Sequence, residues 1–81
     1  MNNNQKILGE FEKNSVEVVR ISSVEYHSNQ YLDVRIWVVG DQGSKENRLP
    51  TKKGIRIHSE LLPDLIQVLQ KAKGLIKNKV R

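Results

Sequence analysis

The residues from Tyr31 to Val39 (YLDVRIWVV) constrain the fold more than any other part of this sequence. Side chains of two kinds alternate along them, which is the period of a β-strand with two different faces. One face carries only branched aliphatic side chains: Leu32, Val34, Ile36 and Val38. The other face carries aromatic and charged side chains: Tyr31, Asp33, Arg35 and Trp37. Such a strand belongs in a sheet that is covered on one side and open to water on the other.

Similar patterns predict two strands before this one. Residues 15–26 (SVEVVRISSVEY) are rich in β-branched side chains, and their alternation slips at Val18 and Val19, which predicts a β-bulge or a bend there. Residues 7–13 predict a short edge strand. Polar segments rich in turn-forming residues are expected to connect the strands at 27–30 and 40–47.

A further strand and then a helix complete the pattern. Residues 48–57 (RLPTKKGIRI) predict a loop leading into a strand, with Ile55 and Ile57 towards the core and Arg56 away from it. From Ser59 the apolar spacing becomes helical, and His58 or Ser59 can cap the helix start. The elements therefore predict an α+β fold: a four-stranded antiparallel sheet followed by one C-terminal helix.

The helix carries a wider apolar arc than one contact with a sheet requires. A chain of 81 residues buries only a small core, so a second subunit is the natural cover for the rest of this arc. We expect a homodimer. Its interface is predicted to be formed by Leu61, Leu65, Val68, Leu69 and Ala72. The helix is also expected to cover the aliphatic face of the sheet, which leaves the face of Arg35 open.

The domain organisation and location follow from composition. We expect a disordered N-terminus at residues 1–6, a single domain at 7–77 and a basic tail at 78–81. The sequence has no cysteine, no run of apolar residues long enough to cross a membrane and no apolar signal core at its start. We therefore expect an intracellular protein: in the cytoplasm or nucleoid if bacterial or viral, and in the nucleus if eukaryotic.

The net charge of +5 is concentrated in two segments. Residues 45–56 hold five basic side chains against Glu46, and residues 71–81 hold five basic side chains and no acid. Concentrated positive charge favours a polyanionic partner. For the second segment, a solvated helix end that favours cations is an equally good interpretation.

Together, the open strand face and the first basic segment predict a surface for single-stranded nucleic acid. Unpaired bases stack on aromatic rings, and cations follow the phosphates. Asp33 would repel phosphate, so we expect it to hold a neighbouring cation such as Arg35 or Arg56. The predicted contact residues are Tyr26, Tyr31, Arg35, Trp37, Arg48, Lys52, Lys53 and Arg56.

Other interpretations of the same residues remain open. The aromatic side chains could instead fill a second small core or a dimer contact. The basic face could recruit an acidic protein, with nucleic-acid affinity incidental, and RNA is an alternative to DNA because stacking does not read the 2′-hydroxyl. His27 and His58 lack the spacing of a zinc site, and no enzyme motif, metal site or cofactor is predicted.

The runs YLDVRIWV and PTKKGIRI, followed by a leucine-rich helix, resemble the C-terminal domain of the positive cofactor four family of transcriptional coactivators. The resemblance extends from about Val16 to Lys73. It implies a curved four-stranded sheet, a homodimer formed largely through the helices, and single-stranded DNA running over the sheet faces. It also implies partners in transcription or replication.

Position by position, the resemblance assigns roles to several residues. It implies that Tyr26 stacks on a base, that Arg35 contacts phosphate and that Lys52 and Lys53 are a basic pair before a glycine. Trp37 lies one residue before the position that matches the family's stacking tryptophan, where this chain has Val38.

Overall fold

A computed structural model describes residues 4–39 and 48–76 of the chain. Four strands form one antiparallel sheet in the order β1-β2-β3-β4, and a short 3₁₀ turn leads into one helix. The elements are β1 (Asn4–Glu12), β2 (Glu17–Tyr26), β3 (Asn29–Val38), β4 (Leu49–His58), the 3₁₀ turn (Ser59–Leu61) and α1 (Leu62–Leu75). The predicted α+β fold, with its sheet followed by one helix, is confirmed.

The element bounds differ from the predicted ones at the chain ends. Strand β1 begins at Asn4, so residues 4–6, which we expected to be disordered, belong to a strand. The helix continues through Gly74 to Leu75. Residues 1–3, the predicted connection at 40–47, residue 77 and the predicted basic tail at 78–81 lie outside the described residues. No helix in the described part of the chain is long and apolar enough to span a membrane.

Strands β2 and β3 pair in unbroken register from Glu17 opposite Val38 to Tyr26 opposite Asn29. Of the bulge or bend predicted at Val18 and Val19, the bulge is therefore wrong. The alternation slips there because apolar residues are needed on both sides of the sheet: Val18 is buried on one face, and Val19 lines an apolar cavity on the other. Residues directly opposite each other in an antiparallel pair point to the same face.

The register therefore defines two faces. We call the arginine face the side that carries Val18, Arg20, Ser22 and Val24 on β2 and Tyr31, Asp33, Arg35 and Trp37 on β3. We call the apolar face the side that carries Val19, Ile21, Leu32, Val34, Ile36, Ile55 and Ile57. For β3, the residues found on each face are those that the alternation in the sequence predicted.

Burial is distributed differently from what the pattern suggested. Among residues 4–39 and 48–76, those buried in the single chain all lie on the arginine face: Val18, Ser22, Val24 and Asp33. The apolar face is only partly covered, and Ile55 is 54% exposed. The reason is that α1 makes only sparse contact with the strands and lies chiefly against the 3₁₀ turn. The expectation that the helix covers the apolar face within one chain is wrong.

The start of the helical segment follows the predicted capping. His58 Nδ1 accepts a hydrogen bond from the backbone N–H of Glu60 at 3.1 Å, which satisfies a donor that the first turn leaves free. Pro63 lies in the first turn of α1, where its missing N–H costs least. The helix start is thereby fixed at the end of β4.

Candidate nucleic-acid interface

A buried carboxylate organises the arginine face. Asp33 is 1% exposed, and its oxygens accept hydrogen bonds from Arg35 Nη2 at 2.9 Å and Arg35 Nε at 3.2 Å. Arg56 Nε, across the strand pair, donates to the same carboxylate at 3.3 Å. The hydrogen bonds between Arg35 and Asp33 raise the pKa of Arg35, against the opposing effect of burial. As the sequence predicted, Asp33 holds the two guanidinium groups in place.

Arg35 is fixed from a second side by an irregular part of β4. The register shifts between Arg35 and Trp37, so extra residues of β4 lie opposite Ile36 as a bulge. Thr51 closes this bulge: its hydroxyl donates to the Ile36 carbonyl at 2.8 Å and accepts from the Lys53 N–H at 3.1 Å. Its carbonyl accepts from Arg35 Nη1 at 3.0 Å. The guanidinium plane is therefore held by both strands.

Gly54 lies directly opposite Arg35, where the two backbones are very close. A Cβ atom at this position would lie 2.6 Å from the Val34 carbonyl oxygen and 2.8 Å from Arg35 Cα. Any other residue would therefore force β4 away from β3. The glycine is required for the close approach that brings the β4 bulge to Arg35.

Trp37 is covered by an arginine that the sequence did not single out. The guanidinium carbon of Arg20 lies 4.2 Å from the centre of the Trp37 ring, in a cation–π contact. Trp37 is only partly exposed, and its Nε1 is buried without a hydrogen-bond partner among the described residues. One face of the predicted stacking ring is thus occupied by Arg20.

Arg20 and Arg48 share the carboxylate of Glu10 on β1. Arg20 Nε donates to Glu10 Oε1 at 2.8 Å, and Arg48 Nη1 donates to Glu10 Oε2. The hydrogen bond from Arg20 holds the pKa of Glu10 below its ordinary value of 4.5, and the hydrogen bond from Arg48 has a smaller effect in the same direction. Burial opposes both. The predicted phosphate contact Arg48 is therefore paired with an acid in this structure.

The two tyrosines differ in how much of their rings is available. Tyr26 is 48% exposed at the end of β2, and its ring meets His27 edge-on with centroids 4.0 Å apart. Tyr31 is less exposed, and its ring meets His58 edge-on with centroids 5.4 Å apart. Tyr26 consequently offers the more open ring for stacking.

The basic residues of β4 do not all share one face. Arg56 is on the arginine face, and its side chain is 46% exposed despite its contact with Asp33. Lys52 and Lys53 are both exposed. Lys53, however, lines a cavity of about 340 Å³ on the apolar face, beside Val19 and Ile55. The pair of lysines therefore lies at the sheet edge, with Lys53 on the side away from Arg35.

Three residues that shape the site were not predicted: Glu10, Arg20 and Thr51. Arg20 has the same parity as Val18 and lies opposite Arg35, but this follows only once the β2–β3 register is known. Thr51 had no signal in the sequence. Among the described residues, no group of three histidine, aspartate or glutamate side chains could hold a metal ion.

The residues predicted to form a dimer interface lie along α1 and just before it. Leu61, Val68 and Leu69 are exposed by 50%, 63% and 56%, and Leu65 and Ala72 are partly buried. Within the described chain, this apolar helix surface is left largely without a partner.

Comparison with known proteins finds one family and several solved structures that are similar to this chain. The family described as Transcriptional Coactivator p15 (PC4) matches residues 13–68. A PC4 homologue from Burkholderia pseudomallei is similar in structure in two crystal forms. The orthorhombic form has 36% sequence identity, a TM-score of 0.75 and coverage of 85% of this chain and 89% of that chain. The tetragonal form has 35% identity, a TM-score of 0.73 and coverage of 85% and 97%.

A more distant structure shares the fold. It is a bacteriophage T5 homologue of the eukaryotic coactivator PC4, implicated in recombination-dependent DNA replication, with 23% identity and a TM-score of 0.52. The alignment covers 90% of this chain and 83% of the phage chain. No curated protein matches the sequence. The family match spans more than half of the chain and includes β2, β3, β4 and the start of α1. The chain therefore belongs to the Transcriptional Coactivator p15 (PC4) family.

Proposed function

We propose that this protein is a binding module, not an enzyme, that holds single-stranded DNA on its arginine face as a homodimer inside the cell. The observation that carries the proposal is the fixed guanidinium of Arg35. It is held by Asp33 and the Thr51 carbonyl on a sheet face that also presents aromatic rings. A preorganised guanidinium loses little side-chain entropy when it binds phosphate.

The proposed contacts combine charge with stacking. Tyr26 provides the most open of the rings predicted to stack on bases, while Arg35 and the exposed end of Arg56 provide charge for phosphates. Stacking on aromatic rings and contacts with phosphates do not depend on the identity of the base, so the binding is proposed to tolerate different sequences. This fits roles in transcription, replication or repair.

The homodimer is proposed because two apolar surfaces remain exposed in one chain. The apolar face of the sheet carries an open apolar cavity, and α1 presents a row of exposed aliphatic side chains. A second copy could cover both, and doing so would leave the two arginine faces free for nucleic acid. Burial of apolar area contributes roughly 25 cal/mol per Å².

The test is binding of a fluorescently labelled oligo-dT across a series of salt concentrations. Arg35→Gln should weaken binding at least several-fold and reduce the slope of log affinity against log salt by about 0.7. Lys6→Gln on β1 is the matched control, because Lys6 lies opposite Ser23 and therefore on the side of the sheet away from Arg35. Equal effects of the two variants would contradict the proposed site.

Competition separates the alternatives. A matched RNA oligomer should compete less well than the DNA oligomer if DNA is preferred. Equal competition would mean that the protein binds RNA as well as DNA. If the wild-type protein shows no salt-dependent binding to either strand, the nucleic-acid function fails. Recruitment of an acidic protein would then be the better explanation of the basic face.

A further inference from the structure

Glu10, Arg20, Arg48 and Trp37 form a compact group that the proposed contacts at Arg35 do not use. The Glu10 carboxylate receives one hydrogen bond from each of the two arginines, and Arg20 stacks on the Trp37 ring. We call this group the Glu10 cluster. It lies on the arginine face, because Glu10 is opposite Arg20, and Arg20 is opposite Arg35.

The position of the cluster continues the line of positive charge. Arg20 and Arg35 are direct neighbours across β2 and β3, so their Cβ atoms are roughly 5 Å apart. A phosphate backbone that contacts Arg35 therefore has a second guanidinium beside it, on β2, towards the β1 edge of the sheet. Two arginines converging on one anion is a geometry that suits a phosphate as well as a carboxylate.

The three charged side chains are not held equally firmly. Arg20 and Arg48 are 13% and 8% exposed, and Arg20 is fixed by its stack on Trp37. Glu10 is 32% exposed and belongs to β1, the outermost strand next to β2, in which every residue is exposed. The carboxylate can therefore leave more easily than the guanidinium groups can move.

We propose that Arg20 and Arg48 form a phosphate subsite that extends the track of Arg35, and that Glu10 occupies this subsite while no nucleic acid is bound. The proposal rests on the proposed single-strand binding. Glu10 acts as an internal competitor: a bound strand replaces its carboxylate with a phosphate, and binding is weaker than the two arginines alone would make it.

The proposal has a specific signature in the salt dependence. Nucleic-acid binding is driven by release of counterions, and each phosphate contact with a single strand contributes about 0.7 to the slope of log affinity against log salt. In the wild-type protein Glu10 cancels one of the two positive charges of the subsite, so the subsite releases fewer cations from the strand on binding. Without the carboxylate, the subsite neutralises about one more phosphate charge, and one more cation is released from the strand.

The experiment compares Glu10→Gln with Glu12→Gln in oligo-dT binding over a salt series. Both variants remove one negative charge from β1, but Glu12 makes no ion pair among the described residues. Glu10→Gln should bind about 3–10-fold more tightly than Glu12→Gln, with a slope steeper by about 0.7. Equal affinities and slopes for the two variants would overturn the proposal.

Variants of Arg20 test the same subsite through its arginine, with and without Glu10. Arg20→Gln alone should weaken binding several-fold, and Glu10→Gln combined with Arg20→Gln should lose most of the gain of Glu10→Gln. A gain that persists without Arg20 would contradict the proposal. Melting temperatures are measured first, so that only folded variants are compared.

If Arg35→Gln weakens binding while Glu10→Gln has no effect, only this inference fails. An absence of wild-type binding defeats the proposed function itself.

Discussion

Asp33 shows how a single residue can be both structural and functional. Its carboxylate is buried, yet it lies on the face proposed to bind polyanions, because it is covered by the arginines it holds. A buried charge is tolerated only when it is paired and hydrogen-bonded. The carboxylate thus fixes the direction of Arg35 without presenting negative charge to a ligand.

Asp33→Asn should lower the free energy of unfolding by about 2–3 kcal/mol, because two arginines lose a charged partner in a buried position. Urea unfolding near neutral pH measures this. Glu25→Gln is the control, since Glu25 is exposed at the end of β2 and should change stability by less than about 0.5 kcal/mol. A loss for Asp33→Asn no larger than the control's would contradict the assigned role of the carboxylate.

Gly54→Ala should lower the free energy of unfolding by about 1–3 kcal/mol, because the added methyl group would overlap the backbone at Val34 and Arg35. It should also weaken oligo-dT binding by displacing the β4 bulge from Arg35. Gly9→Ala is the matched control within a strand, because a Cβ there has no atom within 4 Å. Similar stability of the two variants, measured by urea unfolding, would show that the close approach at Gly54 is not required.

At the scale of elements, the β2–β3 hairpin carries backbone strain at its tip. His27 and Ser28 have φ angles of 52° and 66°, the left-handed conformation that two-residue hairpin turns require and that most side chains disfavour. Neither position is glycine. The turn places Tyr26 and His27 in contact at the edge of the proposed binding face.

Ser28→Gly should raise the free energy of unfolding by about 0.5–1 kcal/mol, because glycine adopts this φ angle without a steric cost. Thermal and urea unfolding check the prediction. Ser15→Gly is the control, since Ser15 lies in the β1–β2 connection without a positive φ. Its replacement by glycine should slightly lower the free energy of unfolding. A loss of stability in both variants would contradict the argument from strain.

At the scale of the whole molecule, the single chain leaves much of its apolar surface unused. Its fully buried apolar residues are few among those described, while aliphatic side chains of α1 and of the apolar face remain exposed. So small a core would make a marginal domain by itself. Stability is therefore expected to depend on protein concentration.

Val68→Asp should convert the protein to a monomer and lower its melting temperature, because it introduces a charge where the second subunit is proposed to pack. Sedimentation equilibrium measures the change in mass. Gln70→Asp adds the same charge about 200° around α1 from Val68, on nearly the opposite side of the helix, and should leave the dimer intact. A wild-type protein that is already monomeric at all concentrations would contradict the proposed homodimer.

Much of the fold was predictable because alternation is a local property of the backbone. The parity of β3 correctly separated Leu32 and Val34 from Asp33 and Arg35, and the helical period after Ser59 predicted α1. The bulge predicted at Val18 and Val19 was wrong, since an apolar residue on either face breaks alternation just as a bulge does. Parity alone could not say which face the single chain buries.

The sequence by itself determined the strands, their two faces, the helix and the family resemblance that the comparisons confirmed. Only the tertiary structure decided which side chains meet across the sheet. Arg56 reaches Asp33 from β4, Glu10 on β1 receives hydrogen bonds from Arg20 and Arg48, and Arg20 covers Trp37. The physical reason is register: these partners lie on different strands, and a change of pairing by one residue would move each side chain to the opposite face.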